Sequence, residues 1–300
     1  MSRYRVLCFD GGGIRGALTI RMLVRLQNRL PGLLDEVDLY SGTSTGAIIA
    51  IGLSAGLKVS ELEEVYTPDI CRKIFQPCSS GLVRPRYNIN RFKEIISSIF
   101  PRNMCLRDLK YNIVIPAFNI SGKEKMGWRP VFFSNLPDSE NSEEKIIDVV
   151  MASCAAPVYF SSYNDYIDGG VVANNPSAVA LSFAVGRLCN ERSFSRLRLF
   201  SMGTGFLPNN IKYNTSIWGA IQWLLNTNPP VPLINLLMDG DARADDMVTS
   251  QMMGKNYHRL NPILPEPIGI DHYTKIDFLK DFADNIDMNE TVNWLQDYWL

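Results

Sequence analysis

Hydrophobic positions along the chain switch between two periods, and the switches fall at glycine- and proline-rich breaks. Residues 4–9 (Tyr-Arg-Val-Leu-Cys-Phe) form a short apolar run ending in a glycine cluster, which predicts a first strand. Leu18, Met22, Leu26 and Leu30 then recur every four residues, with Arg21, Arg25 and Arg29 on another face. That spacing predicts an amphipathic helix, stopped by Pro31-Gly32. Residues 37–41 read as a second strand and Ala47-Ile48-Ile49-Ala50-Ile51 as the start of a buried helix. Ser60-x-x-Glu63 has the form of a capping box, and Asn90 that of an N-cap on a helix reaching Phe100-Pro101. Between them, 71–90 carries prolines, Ser79-Ser80-Gly81 and the basic residues Arg84 and Arg86, and reads as an excursion from the core.

Further on, 111–118 and 131–133 read as neighbouring strands, 138–145 as a polar loop and 146–153 as a helix. A short strand at 165–167 ends in Asp168-Gly169-Gly170; a helix at 176–188 and a strand at 196–202 follow. Strands alternating with helices predict an α/β fold: a three-layer α/β/α sandwich around a mostly parallel central sheet. Past Gly205 the pattern changes. An apolar, Trp-bearing stretch at 217–238 is broken by prolines, 239–253 resumes as a polar, acidic helix, 257–260 suits an edge strand, and 276–300 reads as acidic helix. No linker divides the chain, so residues 1–300 are read as one domain, with 206–300 as its helical, lid-like C-terminal part.

Composition narrows the partners. The net charge is −1, with no clustered basic excess, so no nucleic-acid partner is expected. Six scattered cysteines without a C-x-x-C pair read as free thiols in a reducing compartment. With only His258 and His272 available, no metal site is expected and no cofactor is called for. The uncharged stretches 39–57 and 213–238 are interrupted by small residues or prolines, unlike a continuous membrane span. With no signal peptide legible in Met1-Ser2-Arg3-Tyr4-Arg5, the expectation is a soluble, cytoplasmic chain of undetermined oligomeric state.

Two stretches carry chemistry. Gly42-Thr43-Ser44-Thr45-Gly46 lies between a strand and a helix, the layout of a nucleophile elbow. The turn would present the Ser44 hydroxyl at a helix N-terminus, where negative charge is favoured. A second G-x-S-x-G, Gly52 to Gly56 around Ser54, has no strand before it and reads as a helix end capped by Gly56. Asp10-Gly11-Gly12-Gly13-Ile14-Arg15-Gly16 is the other stretch, a run of amides aimed at an anion. It fits the G-x-G-x-x-G phosphate fingerprint and equally an oxyanion site; an exposed serine on the next strand favours the latter. A serine needs a base, and His258, His272 and Asp168 are the candidates.

Asp10-Gly-Gly-Gly-Ile-Arg-Gly16, Gly42-Thr-Ser-Thr-Gly46 and Asp168-Gly-Gly170 together resemble, in order and kind, the three signatures of the patatin-like phospholipases. Residues 152–157 (Ala-Ser-Cys-Ala-Ala-Pro) and Asn174-Asn175-Pro176 extend the likeness, which covers 4–205 well and the last third loosely. The resemblance implies a Ser44–Asp168 dyad without histidine and an oxyanion hole from the Gly11, Gly12 and Gly13 amides with those near Arg15 and Gly16. Gly42 and Gly46 would shape the elbow, and Gly169 and Gly170 the aspartate loop. It implies an acyl-enzyme and fatty-acyl ester substrates: glycerophospholipids, galactolipids or their lyso forms, met by peripheral contact with a membrane. Arg15 is expected to anchor the glycine loop rather than to act on substrate. The stretch 217–238 is then either an acyl-chain wall or lid, or ordinary core. A Ser–His–Asp esterase using His258 and a non-catalytic lipid- or nucleotide-binding module are the alternatives.

Overall fold

The computed structural model describes residues 3–122, 127–137, 139–188, 194–208, 211–226 and 232–300. Asp138, Cys189 and the break at 227–230 lie outside them. Strands β1 (Tyr4–Phe9), β2 (Leu39–Gly42), β3 (Asn112–Asn119), β4 (Arg129–Ser134), β5 (Tyr166–Asp168), β6 (Leu197–Met202) and β7 (Tyr257–Leu260) share one sheet. Its order is β4-β3-β2-β1-β6-β7, parallel from β3 to β7 and antiparallel between β3 and β4.

The sheet is buried on both faces because its strands alternate between two cores. Leu7 and Phe9 of β1 point into one core, Val6 and Cys8 into the other. Helices α1 (Gly16–Arg29), α2 (Thr45–Ser54) and α10 (Ile276–Asn285) cover the first face; α7 (Ser177–Phe183) and the end of α9 (Pro232–Met253) cover the second. The predicted three-layer α/β/α sandwich is therefore the fold. In α1, Leu18, Met22 and Leu26 are buried as the four-residue spacing requires. Its arginines bind α10: Arg21 donates to both Asp284 oxygens at 2.7 and 2.9 Å, and Arg25 to the Ile286 carbonyl at 3.0 Å.

One irregularity places the site. The edge of β3 that carries β2 along residues 112–114 is vacant beyond it, and β5 pairs there antiparallel, with Ala117 opposite Asp168. Asp168 thereby stands next in line after the C-terminal end of β2.

Several expected boundaries moved. Helix α3 (Val59–Val65) starts two residues before the Ser60 box: Glu61 accepts the Lys58 N–H at 2.7 Å. Helix α5 (Ile89–Ile99) is capped by Asn88 rather than Asn90, its Oδ1 accepting the Asn90 N–H at 2.9 Å. α9 begins at Pro232, seven residues early, and the expected C-terminal helix splits into α10 and α11 (Asn289–Trp294). Cys8, Cys71 and Cys154 are buried free thiols, but Cys78 is exposed. No helix among the described residues is long and apolar enough to cross a membrane.

Candidate active site

Ser44 sits between β2 and α2 with φ 54° and ψ −119°, a strained backbone for a non-glycine residue. The strain is over-determined by close packing. A Cβ at Gly42 would lie 2.1 Å from the Gly46 carbonyl oxygen, and one at Gly46 would lie 2.2 Å from that of Phe9. Only glycine allows the elbow to fold this tightly onto β1. The Ser44 N–H donates to Ser153 Oγ at 3.0 Å, and that hydroxyl donates to the Pro116 carbonyl at 2.7 Å, tying the elbow to α6 (Ile146–Ser153) and β3.

Asp168 is buried, and it and Ser44 line the same cavity. The Asp168 Oδ1 accepts the Gly170 N–H at 2.7 Å. Burial pushes its pKa up to about 6, and the Gly170 N–H and the nearby Ser44 side chain only partly offset the loss of water. His258 lies elsewhere. On β7 it stands three strand positions from β2, about 14 Å at ordinary strand spacing. Its Nε2 meets Thr291 Oγ1 at 2.9 Å and its ring stacks on Trp294. His272 is exposed, its Nδ1 accepting the Gly269 N–H at 3.3 Å.

The glycine loop after β1 meets the elbow directly: a Cβ on Gly11 would touch Ser44 Cβ at 3.5 Å. Its amides are not equivalent. The Gly11 N–H donates to the Asn174 carbonyl at 2.9 Å and that of Arg15 to Gly12 at 3.2 Å; that of Gly16 is held by the carbonyls of Gly13 and Ile14. Among the described residues, the Gly12 and Gly13 amides have no acceptor, and both residues line the cavity that holds Ser44 and Asp168. Of the five residues expected at an oxyanion hole, Gly12 and Gly13 thus have free amides, whereas the amides of Gly11, Arg15 and Gly16 are bonded within the protein. The Arg15 side chain reaches the Gly12 and Gly205 carbonyls at 3.5 and 3.4 Å, anchoring the loop as expected.

Asp10, which opens this motif, turns away from the cavity. Arg259 of β7 holds both its oxygens, at 3.0 and 2.5 Å, and also donates to Ser201 at 2.7 Å. Ser153, Asn174, Thr204 and Arg259 support the site and went unassigned in the sequence. Ser153, Asn174 and Thr204 fall within the likeness over 4–205, and Arg259 only within the loose likeness of the last third.

Ser44, Asp168, Gly12 and Gly13 lie along a cavity of about 250 Å³ whose walls are otherwise largely apolar. α2 gives Ile48, α4 (Pro68–Ile74) gives Cys71 and Ile74, and Phe75, Phe92, Tyr159 and Phe160 add aromatic surface. Leu237 and Met238 of α9 complete it, and the other described residues of the 217–238 stretch are mostly exposed rather than core.

A polar pair inside an apolar cavity, at the C-terminal edge of a parallel sheet, is the arrangement of an enzyme for apolar substrates. Residues 7–181 match the model of the patatin-like phospholipase family, so the chain belongs to that family and is a lipid hydrolase by class. Protein teg of Priestia megaterium is 32% identical over 88% of this chain and 89% of its own length. A cGAMP-activated phospholipase of Escherichia coli is 31% identical over 74% of this chain and 67% of its own. Patatin-like protein 3 of Arabidopsis thaliana is 25% identical over 86% and 73%.

Proposed function

We propose that the protein cleaves fatty-acyl esters of membrane glycerophospholipids, with Ser44 as nucleophile and Asp168 as its general base. The observation that carries this reading is the buried carboxylate of Asp168 in the cavity that Ser44 also lines, a cavity whose lining includes neither histidine. The Ser44 Oγ attacks the ester carbonyl carbon as its proton passes to Asp168. The carbonyl oxygen, now an oxyanion, takes hydrogen bonds from the Gly12 and Gly13 amides. Collapse expels the lyso-lipid alkoxide, which takes the proton back from Asp168, and leaves an acyl-Ser44 ester. Asp168 then deprotonates a water that attacks this ester, releasing the fatty acid and restoring Ser44.

The apolar cavity is suited to the acyl chain, and phospholipid as substrate is supported by the phospholipases among the relatives. The last third of the chain belongs to the same catalytic unit: β7 extends the sheet and α9 walls the cavity. The test is labelling by a fluorophosphonate together with fatty-acid release from phospholipid vesicles. Ser44→Ala is expected to lose both. Ser54→Ala keeps them, since Ser54 is buried and its hydroxyl serves the Tyr111 carbonyl at 2.8 Å. Equal loss in two folded variants would remove the assignment of Ser44.

A further inference from the structure

From Tyr213 to Met238 there is no charged residue, yet the described part of this stretch is not core. Ile217 is 80% exposed and Ile221 72%; Leu224 of α8 (Ala220–Leu225) and Leu233, Leu236 and Leu237 of α9 are exposed as well. Trp218 packs against Trp223 and Tyr213, at 5.0 and 6.1 Å between ring centres. The patch is continuous with the cavity, because Leu237 belongs to both. Near the same cavity, Leu82 and Val83 tip a loop whose Tyr87 N–H bonds the carbonyl of Tyr159 in the cavity wall.

We propose that this uncharged face of α8 and the N-terminal part of α9 is a bilayer-docking surface, which engages neutral lipid by apolar insertion rather than by charge. The proposal rests on the lipid-hydrolase reading of the cavity. Three observations choose a bilayer over another protein. A protein seated on Leu237 would close the cavity, whereas a bilayer would feed it an acyl chain without a passage through water. The aromatic cluster is of the kind that settles at the membrane–water boundary. The start of α9, seven residues from Pro232 to Met238, carries no charge before Asp239, as the apolar part of an interfacial segment requires. Beyond that point α9 is fixed to the body of the protein. Asp241 accepts the Asn174 N–H at 2.8 Å, Asp246 the Tyr257 hydroxyl at 2.7 Å, and Thr249 meets Ser177 at 3.1 Å.

The test uses the full chain with Ser44→Ala, so that vesicles are bound but not consumed, and phosphatidylcholine vesicles in a flotation assay. The expected result is flotation with the vesicles at high salt as at low. Adding Ile221→Asp and Leu236→Asp should lower partitioning about 10-fold or more. With Ser44 restored, the same two substitutions should leave hydrolysis of the soluble ester p-nitrophenyl butyrate within about twofold, since both side chains are exposed. Flotation of the charged variant like its parent would overturn the proposal, as would binding that requires anionic lipid and vanishes with salt. A parent that does not float but forms a dimer, dissociated by the charged substitutions, would overturn it in favour of a second copy. Failure of the catalytic reading looks different: vesicles bound by the parent, with neither soluble ester nor vesicle lipid cleaved by the wild-type chain.

Discussion

Burial beside a serine, with no cation to compensate, distinguishes Asp168 from Asp10, which is buried against Arg259. A free aspartic acid is a poor base at neutral pH; raised to about 6, Asp168 is a far better one and still ionised at pH 7. If it is the base, kcat/KM on a soluble ester should rise about tenfold per unit up to a pH near 6 and then level off. An inflection near 4 in the folded enzyme would contradict this. The same shift has a cost with a definite sign. Because the folded pKa exceeds the unfolded one, the native state loses stability as pH rises through about 6 and is unaffected below about 4. Asp168→Asn, which can still accept from Gly170, should therefore abolish turnover yet stabilise the fold by about 2–3 kcal/mol at pH 7.5, a gain that disappears at pH 4. Urea denaturation at the two pH values measures it. Glycine variants are poorer probes. A methyl at Gly13 would stand 2.2 Å from the Ile270 carbonyl oxygen, so Gly13→Ala perturbs packing before it perturbs an oxyanion.

Among the elements, the strands and the two turns that carry chemistry were legible because a buried strand has little freedom. Its apolar run, its length and the glycines at its end all point one way. Helix starts were less legible, since overlapping caps compete and packing decides. Ser60 and Asn90 fit the capping pattern, but burying Val59, Leu62 and Val65 together selects the earlier start at Lys58. Pro232 was read as a breaker, though proline is also favoured in the first helical turn, which is where α9 places it. Arg259 could not have been linked to Asp10 from spacing, because 249 residues separate them and only the β1-β6-β7 order brings them together. That pair makes a prediction about β7. Arg259→Ala strands a buried carboxylate and should cost about 3–5 kcal/mol, with Asp10→Asn in the same chain recovering part of it. A loss under about 1 kcal/mol in urea denaturation, the scale of an exposed pair, would show that the ion pair does not hold the strand.

Over the whole molecule, the sheet order decides which residues can meet. The glycine loop follows β1 and the serine elbow follows β2, adjacent parallel strands, so both open on the same edge. β5 then runs antiparallel into the vacancy beside β3 and delivers Asp168 to that edge. The short strand itself was legible at 165–167, but its antiparallel pairing beside β3 was not, and likeness to a family singled out Asp168 from the other candidate bases. The same order puts His258 three strands away, in the middle of β7, with its ring between Phe200 and Trp294 at 6.0 and 5.3 Å. A dyad and a Ser–His–Asp triad both predict that Asp168→Asn is inactive, so the histidine separates them. His258→Ala should leave kcat/KM on a soluble ester within about threefold of wild type, while the vacated space in the aromatic stack lowers stability by about 1–3 kcal/mol. A triad would instead lose at least about 10⁴-fold in kcat without its histidine. Measured on protein whose circular dichroism shows it folded, an inactive His258→Ala variant would end the dyad reading, whatever Asp168→Asn had shown.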